Sequence, residues 1–171
     1  RTFTGCDIPS MAITLNGLGV SAIGLNCSLG PKELLPIIGE LSKWTNLPLV
    51  VKPNAGLPDP ITNTYDITPE EFASYVADMT NYGIRVVGGC CGTNPEYIKA
   101  TIKKLSTIHP NVEKKEIPSA VCSSSKTVVI NQPRIIGERI NPTGKKRFKE
   151  ALKNNDLDYI LGQAIEQAQG G

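Results

Sequence analysis

Ile84-Arg85-Val86-Val87 runs directly into Gly88-Gly89-Cys90-Cys91-Gly92-Thr93, and this join of a β-branched run to a glycine-framed pair of cysteines decides how the chain reads. A short apolar run bounded by glycine is the pattern of a buried parallel strand. Two more such runs precede it: Ala22-Ile23-Gly24-Leu25-Asn26, which ends at Cys27, and Leu49-Val50-Val51-Lys52, which ends at Pro53-Asn54-Ala55-Gly56. A helical pattern follows each run, so three consecutive strand–helix units fill the first two thirds of the chain.

The helices carry their own start and stop signals. Pro31 fits the first helical position, and Leu34, Leu35, Ile37, Ile38, Leu41 and Trp44 recur on one face. Thr68-Pro69-Glu70-Glu71 is a capping signature for a helix that continues through Phe72, Tyr75, Val76 and Met79 until Gly83 stops it. Asn94-Pro95-Glu96 opens a third helix, with Ile98, Ile102 and Leu105 expected as its buried positions.

From Asn111 to Lys126 the apolar period dissolves into charged and serine-rich sequence, which reads as an interdomain linker. Order resumes with Thr127-Val128-Val129-Ile130. A strand-like Arg134–Ile140 then leads into Asn141-Pro142-Thr143-Gly144, with helical stretches at 145–153 and 159–169. The segmentation expected is therefore 1–110, a linker at 111–126, and the start of a second domain at 127–171. Both ends read as cut within larger domains, which would leave an open strand edge.

Composition narrows the function classes. Lys+Arg 18 against Asp+Glu 16, with aromatics at 5% and no dense basic run, does not indicate a nucleic-acid surface. No apolar stretch approaches the roughly 18 residues that would cross a bilayer. The five cysteines are odd in number, and two are adjacent, which argues against a disulfide framework and for a reducing, cytoplasmic setting.

In parallel α/β architecture the chemistry gathers where loops leave the C-terminal strand ends. Cys27 and the Cys90-Cys91 pair stand at such ends. A lone cysteine reads equally well as core, but three thiols at equivalent strand ends fit a zinc site with one position left open, the arrangement of catalytic zinc. Adjacent residues of a regular strand point to opposite faces, so Cys90 and Cys91 can share a metal only if the backbone bends there, and the flanking glycines permit that. Asn54 ends the middle strand. Its amide oxygen can take the fourth position when no substrate is present, or it can satisfy a loop backbone. Cys6, Cys122 and the single His109 fall outside this geometry.

Gly24-Leu25-Asn26-Cys27, Lys52-Pro53-Asn54-Ala55-Gly56 and Gly88-Gly89-Cys90-Cys91-Gly92-Thr93 resemble the homocysteine-binding barrel of the zinc-dependent homocysteine methyltransferases, which cobalamin-dependent methionine synthase and betaine–homocysteine methyltransferase share. The resemblance implies that Cys27, Cys90 and Cys91 bind zinc and that the sulfur of homocysteine completes the tetrahedron. It covers Arg1 to about Ile108 and implies the C-terminal part of a (β/α)8 TIM barrel. Gly137-Glu138-Arg139-Ile140-Asn141-Pro142-Thr143-Gly144 resembles the opening strand of the pterin-binding barrel that follows in the cobalamin-dependent enzymes, which makes Glu138 and Asn141 candidates for a folate pocket. Glu138 can equally pair with a neighbouring base, and Asn141-Pro142 is an ordinary turn starter.

The resemblance therefore implies an enzyme that methylates homocysteine to methionine. Its methyl group would come from methyltetrahydrofolate through a cobalamin domain of the same full-length chain, and this piece would be inactive alone. A single-barrel methyltransferase using betaine or S-methylmethionine, and a non-catalytic zinc module, are the competing expectations.

Overall fold

The computed structural model describes residues 1–2, 4–62, 64–109 and 114–170, which form two compact units, Arg1–Asn131 and Gln132–Gly171. In the first unit, helix α1 (Ile8–Gly17) leads to strand β1 (Ile23–Asn26), and helix α2 (Pro31–Leu41) leads to strand β2 (Leu49–Lys52). Helix α3 (Pro69–Met79) and a 3-10 turn at Thr80–Tyr82 precede strand β3 (Ile84–Val87), and helix α4 (Pro95–Leu105) follows it. The three strands pair in parallel in the order β1-β2-β3, so the expected repeated strand–helix unit is present as mixed α/β structure.

Local chemistry explains why the helices begin where they do. Thr68 and Glu71 form a reciprocal capping box at the start of α3, and Gly83 takes a left-handed φ of 88° where its last turn ends. The Asn94 side chain accepts the Glu96 N–H at the start of α4. Helix α1 was not anticipated from the sequence. Its signal is local, for Asp7 accepts the Ser10 N–H at 2.7 Å and Pro9 sits in the first turn.

The core lies between the sheet and its helices. Ile23, Leu49, Val51 and Ile84 from the strands meet Leu34, Ile38 and Leu41 of α2 and Phe72, Val76 and Met79 of α3. The other sheet face is open: Val86 is 52% exposed. A register shift between Leu49 and Val50 leaves Arg85 unopposed, so that Val86 pairs with Val50 and Val87 with Val51.

Three expectations need correction. In α4 the buried positions are Tyr97 and Thr101, whereas Ile98 and Ile102 are exposed, Ile102 to 65%. The Phe72 ring meets Tyr97 edge-on at 5.5 Å, and this contact sets which face of α4 turns inward. Second, the 111–126 linker is only partly one. Residues 110–113 lie outside the described residues, but strand β4 (Ala120–Cys122) pairs antiparallel with strand β5 (Thr127–Val129), and β4 packs on α1. Ser10 Oγ lies 3.0 Å from Thr127 Oγ1, and Cys122 Sγ lies 3.5 Å from the Ser10 carbonyl. Thr127–Val129 thus belongs with the first unit, which runs to Asn131. Three-residue strands around a serine turn are too short to show a period of two.

Third, no strand forms at Arg134–Ile140 among the described residues of the second unit; Ile135 and Ile136 are 83% and 89% exposed. A strand is held by its neighbour's backbone, and none is paired here. Helix α5 (Lys146–Lys153) and helix α6 (Leu157–Gln169) match the two expected helical stretches to within a few residues. Phe148 of α5 is buried against Tyr159, and Arg147 stacks over the same ring at 4.4 Å. No helix among the described residues is long and apolar enough to cross a membrane.

Phe72 is fully buried, so Phe72→Ala should cost about 3–5 kcal/mol of unfolding free energy in urea melts. Ile102→Ser, on the exposed face of α4, should change it by no more than about 0.5 kcal/mol.

Candidate metal centre

Cys27, Cys90 and Cys91 come together at the C-terminal ends of β1 and β3, with their sulfurs within 4.8 Å of one another. The Cys27 and Cys91 sulfurs are 3.6 Å apart, and those of Cys90 and Cys91 are 3.9 Å apart. Cys91 is exposed, and the other two are half-buried. Among the described residues this is the one such cluster; Cys6 and Cys122 lie outside it, and His109 is exposed elsewhere.

The backbone departs from strand geometry in two places to achieve this. Cys27 and Ser28 both take left-handed conformations, with φ of 64° and 65°, at a cost of order 1–3 kcal/mol each for residues with a Cβ. Beyond β3, the Thr93 N–H closes a turn onto the Cys90 carbonyl at 3.1 Å, with Gly92 at φ 77° in the position where a type II turn requires glycine. That turn lets two adjacent side chains face one point.

Backbone hydrogen bonds fasten the three loops together. Cys27 N–H donates to the Lys52 carbonyl, Asn54 N–H to Leu29, Cys90 N–H to Pro53 and Ala55 N–H to Cys91, all between 2.8 and 3.0 Å. Asn54 is buried, and its Oδ1 accepts the Cys91 N–H at 3.1 Å. Its amide oxygen is thus engaged with the loop backbone, and an Asn54 hydrogen bond is the smallest of the causes that lower the Cys27 thiol.

The cluster is electrostatically uneven. The Ser28 backbone N–H, then the Cys90 and Cys91 thiols, hold the Cys27 thiol below the usual range, while hydrogen bonding to Cys27 and burial push Cys90 up. Burial, and then the charge and hydrogen bonding of Cys91, raise the phenol of Tyr65. Tyr65 escaped the sequence reading because its contacts are distant in the chain.

Four ligands arranged tetrahedrally about zinc at about 2.3 Å hold their sulfurs about 3.8 Å apart. The observed 3.6 and 3.9 Å lie on either side of that spacing. Three soft thiol donors are also the donor type that selects zinc over hard cations, so the residues fit the metal.

A profile of the homocysteine S-methyltransferase family matches residues 1–105, which include all three cysteines and the loops that join them. The chain belongs to the homocysteine S-methyltransferase family. It is 34% identical over 178 aligned residues to methionine synthase from Mycobacterium leprae (strain TN) and 33% identical over 173 to methionine synthase from Mycobacterium tuberculosis (strain ATCC 25618 / H37Rv). Both alignments cover 98% of this chain but only 15% and 14% of the relatives' own lengths. The crystal structure of the homocysteine methyltransferase MmuM from Escherichia coli, in an oxidized form, is 31% identical and covers 56% of this chain and 29% of its own, with a TM-score of 0.45.

In the second unit, the two folate candidates have local partners. Glu138 Oε1 forms an ion pair with Lys145 Nζ at 2.8 Å, which holds the Glu138 carboxyl below its usual range. Asn141 Oδ1 accepts the Thr143 N–H at 2.9 Å.

Removing the Asn54 side chain strands a partly buried N–H at the turn that carries Cys91. Asn54→Ala should therefore destabilise the chain by about 1–3 kcal/mol in urea unfolding.

Proposed function

We propose that the chain is the zinc- and homocysteine-binding part of a methionine synthase, and that Cys27, Cys90 and Cys91 are its three zinc ligands. The observation that carries this reading is the cluster of three sulfurs, 3.6 and 3.9 Å apart along its two measured edges, at strand ends inside the family-matched segment. A bound zinc ion would act there as a Lewis acid that keeps the substrate thiol deprotonated at neutral pH, where a free thiol with pKa near 8.5 is mostly protonated.

The chain's own residues hold that arrangement in place. Cys27, Cys90 and Cys91 supply three negative charges, so a fourth thiolate joins a site already rich in negative charge and its sulfur keeps its electron density. Asn54 and the backbone bonds among the three loops fix the direction of the donors. Exposure of Cys91 leaves a side from which substrate can approach. Homocysteine loses its thiol proton to solvent. Its sulfur lone pair forms the new S–CH3 bond, and the bond between methyl and donor breaks with its electron pair leaving on the donor.

The architecture proposed is the C-terminal part of one (β/α)8 barrel followed by the opening of a second, pterin-binding barrel. In it Glu138 and Asn141 face methyltetrahydrofolate, and a cobalamin domain of the full-length protein relays the methyl group. Support comes from the two relatives named methionine synthase, whose similarity continues past residue 105 to span 98% of the chain. That continuation disfavours a single-barrel methyltransferase. A cluster of three thiols, one of them exposed, disfavours a closed structural zinc site, which takes four protein ligands. Reduced thiols in this role fit a cytoplasmic setting.

X-ray absorption at the zinc edge should count three protein sulfurs without substrate and four with homocysteine. An unchanged count would reduce the site to a structural one. In the full-length protein, Asn141→Ala should weaken methyltetrahydrofolate binding in calorimetry and leave homocysteine affinity unchanged, and the reverse pattern would reject the folate assignment.

A further inference from the structure

The edge of the sheet opposite the cysteines holds a cavity with a basic lining. The loops that run from α2 into β2 and from α3 into β3 meet there, where the parallel strands begin, and the segment at Lys114-Lys115 packs against them. The space measures about 250 Å³. Arg85, Lys114 and Lys115 bound it, and no carboxylate is among the described residues that line it. Pockets for drug-sized ligands run to about 300–1,000 Å³, so this one suits a smaller molecule.

Specific contacts bring the three cations together. Asn46 clamps the backbone of Lys115 in both directions: its Oδ1 accepts the Lys115 N–H at 2.9 Å, and its Nδ2 donates to the Lys115 carbonyl at 2.8 Å. The Lys115 ammonium donates to Ser42 Oγ at 3.2 Å, and the buried Ser42 hydroxyl donates in turn to the Gly39 carbonyl at 2.9 Å. Arg85 reaches the same space from the start of β3, at the register shift that leaves it unopposed, and a bulge of this kind re-aims a side chain. Among the described residues neither the Arg85 guanidinium nor the Lys114 ammonium has a hydrogen bond or ion pair. Glu40, near the end of α2, is already committed to Lys43 and the Trp44 indole, and Glu116 does not line the cavity. Like charges around one space repel one another, and an anion seated among them turns that repulsion into attraction.

We propose that this cavity is an anion site for a phosphate group, carried either by inorganic phosphate or by a small phosphate monoester. The guanidinium of Arg85 offers a planar fork that takes two phosphate oxygens at once, and the ammonium groups of Lys114 and Lys115 add two point charges. A doubly charged oxyanion matches three cations better than a single carboxylate does. Two of the cations belong to the segment beyond α4 and the third to β3, so a bound phosphate pins that segment to the base of the sheet. The site lies at the opposite strand ends from the cysteine cluster and does not depend on the zinc reading.

Calorimetric titration of the full chain with inorganic phosphate, against sodium chloride of equal ionic strength, tests the assignment. Phosphate should bind saturably at one site and raise the melting temperature, and chloride should do neither. Arg85→Gln and Lys115→Gln should each weaken phosphate binding by about tenfold or more, whereas Lys104→Gln on α4 should leave it unchanged. All three positions are exposed, so the variants keep their fold, which far-ultraviolet circular dichroism checks. Glycerol 3-phosphate, titrated in parallel, names the source of the group. Tighter binding than inorganic phosphate assigns the site to a monoester whose organic part fills the remaining space, and equal or weaker binding assigns it to free phosphate. A chain that answers phosphate and chloride alike has no such site. Phosphate affinity that survives either Arg85→Gln or Lys115→Gln, or that falls as far with Lys104→Gln, overturns the proposal as well.

Discussion

Five hydrogen bonds between three strand-end loops hold the cysteine cluster together, and most of what surrounds it serves to keep those loops in register. The loop after β2 lies in the middle. It receives the Cys27 and Cys90 N–H groups on the Lys52 and Pro53 carbonyls, sends the Asn54 and Ala55 N–H groups to Leu29 and Cys91, and takes the Cys91 N–H on the Asn54 side chain. Parallel pairing of β1 and β3 to the two edges of β2 makes this possible, because all three strands then end on the same side. A sulfur cluster with spacings near 3.8 Å tolerates little slippage, so the register of the sheet and the geometry of the site are one constraint.

That constraint explains the local strain. Left-handed backbone at two consecutive residues with side chains, Cys27 and Ser28, is unfavourable alone and persists only where the surroundings fix it. Here the Cys27 N–H is bonded to Lys52, and β1 just before it is anchored by Ile23 in the core. The core beneath β1, β2 and β3 is thus what stabilises an otherwise costly loop, and binding of a metal would add to that stabilisation.

The apolar pattern of the chain is only partly used within the two units. Leu34, Ile38, Phe72 and Val76 bury where their period places them, whereas Val86, Ile98 and Ile102 lie exposed at positions equally apolar. In the second unit Ile135 and Ile136 do the same. Periodicity marks which residues favour burial, and burial needs a partner surface to pack against.

Much of this was legible in the sequence, for reasons that are local. A proline at a first helical turn, the Thr68 and Asn94 caps, β-branched runs of four residues and a glycine-framed cysteine pair act through neighbours along the chain, so they fixed three strand–helix units and named Cys27, Cys90 and Cys91 as one group. What depended on contacts between distant segments was not legible. The inward face of α4 was chosen by Phe72 meeting Tyr97, and the pairing of β4 with β5 against α1 by Ser10, Thr127 and Cys122. Only the tertiary structure could give Asn54 its hold on Cys91 and bring Tyr65 onto Gly92, because those groups meet through the parallel sheet, whose pairing no local pattern encodes.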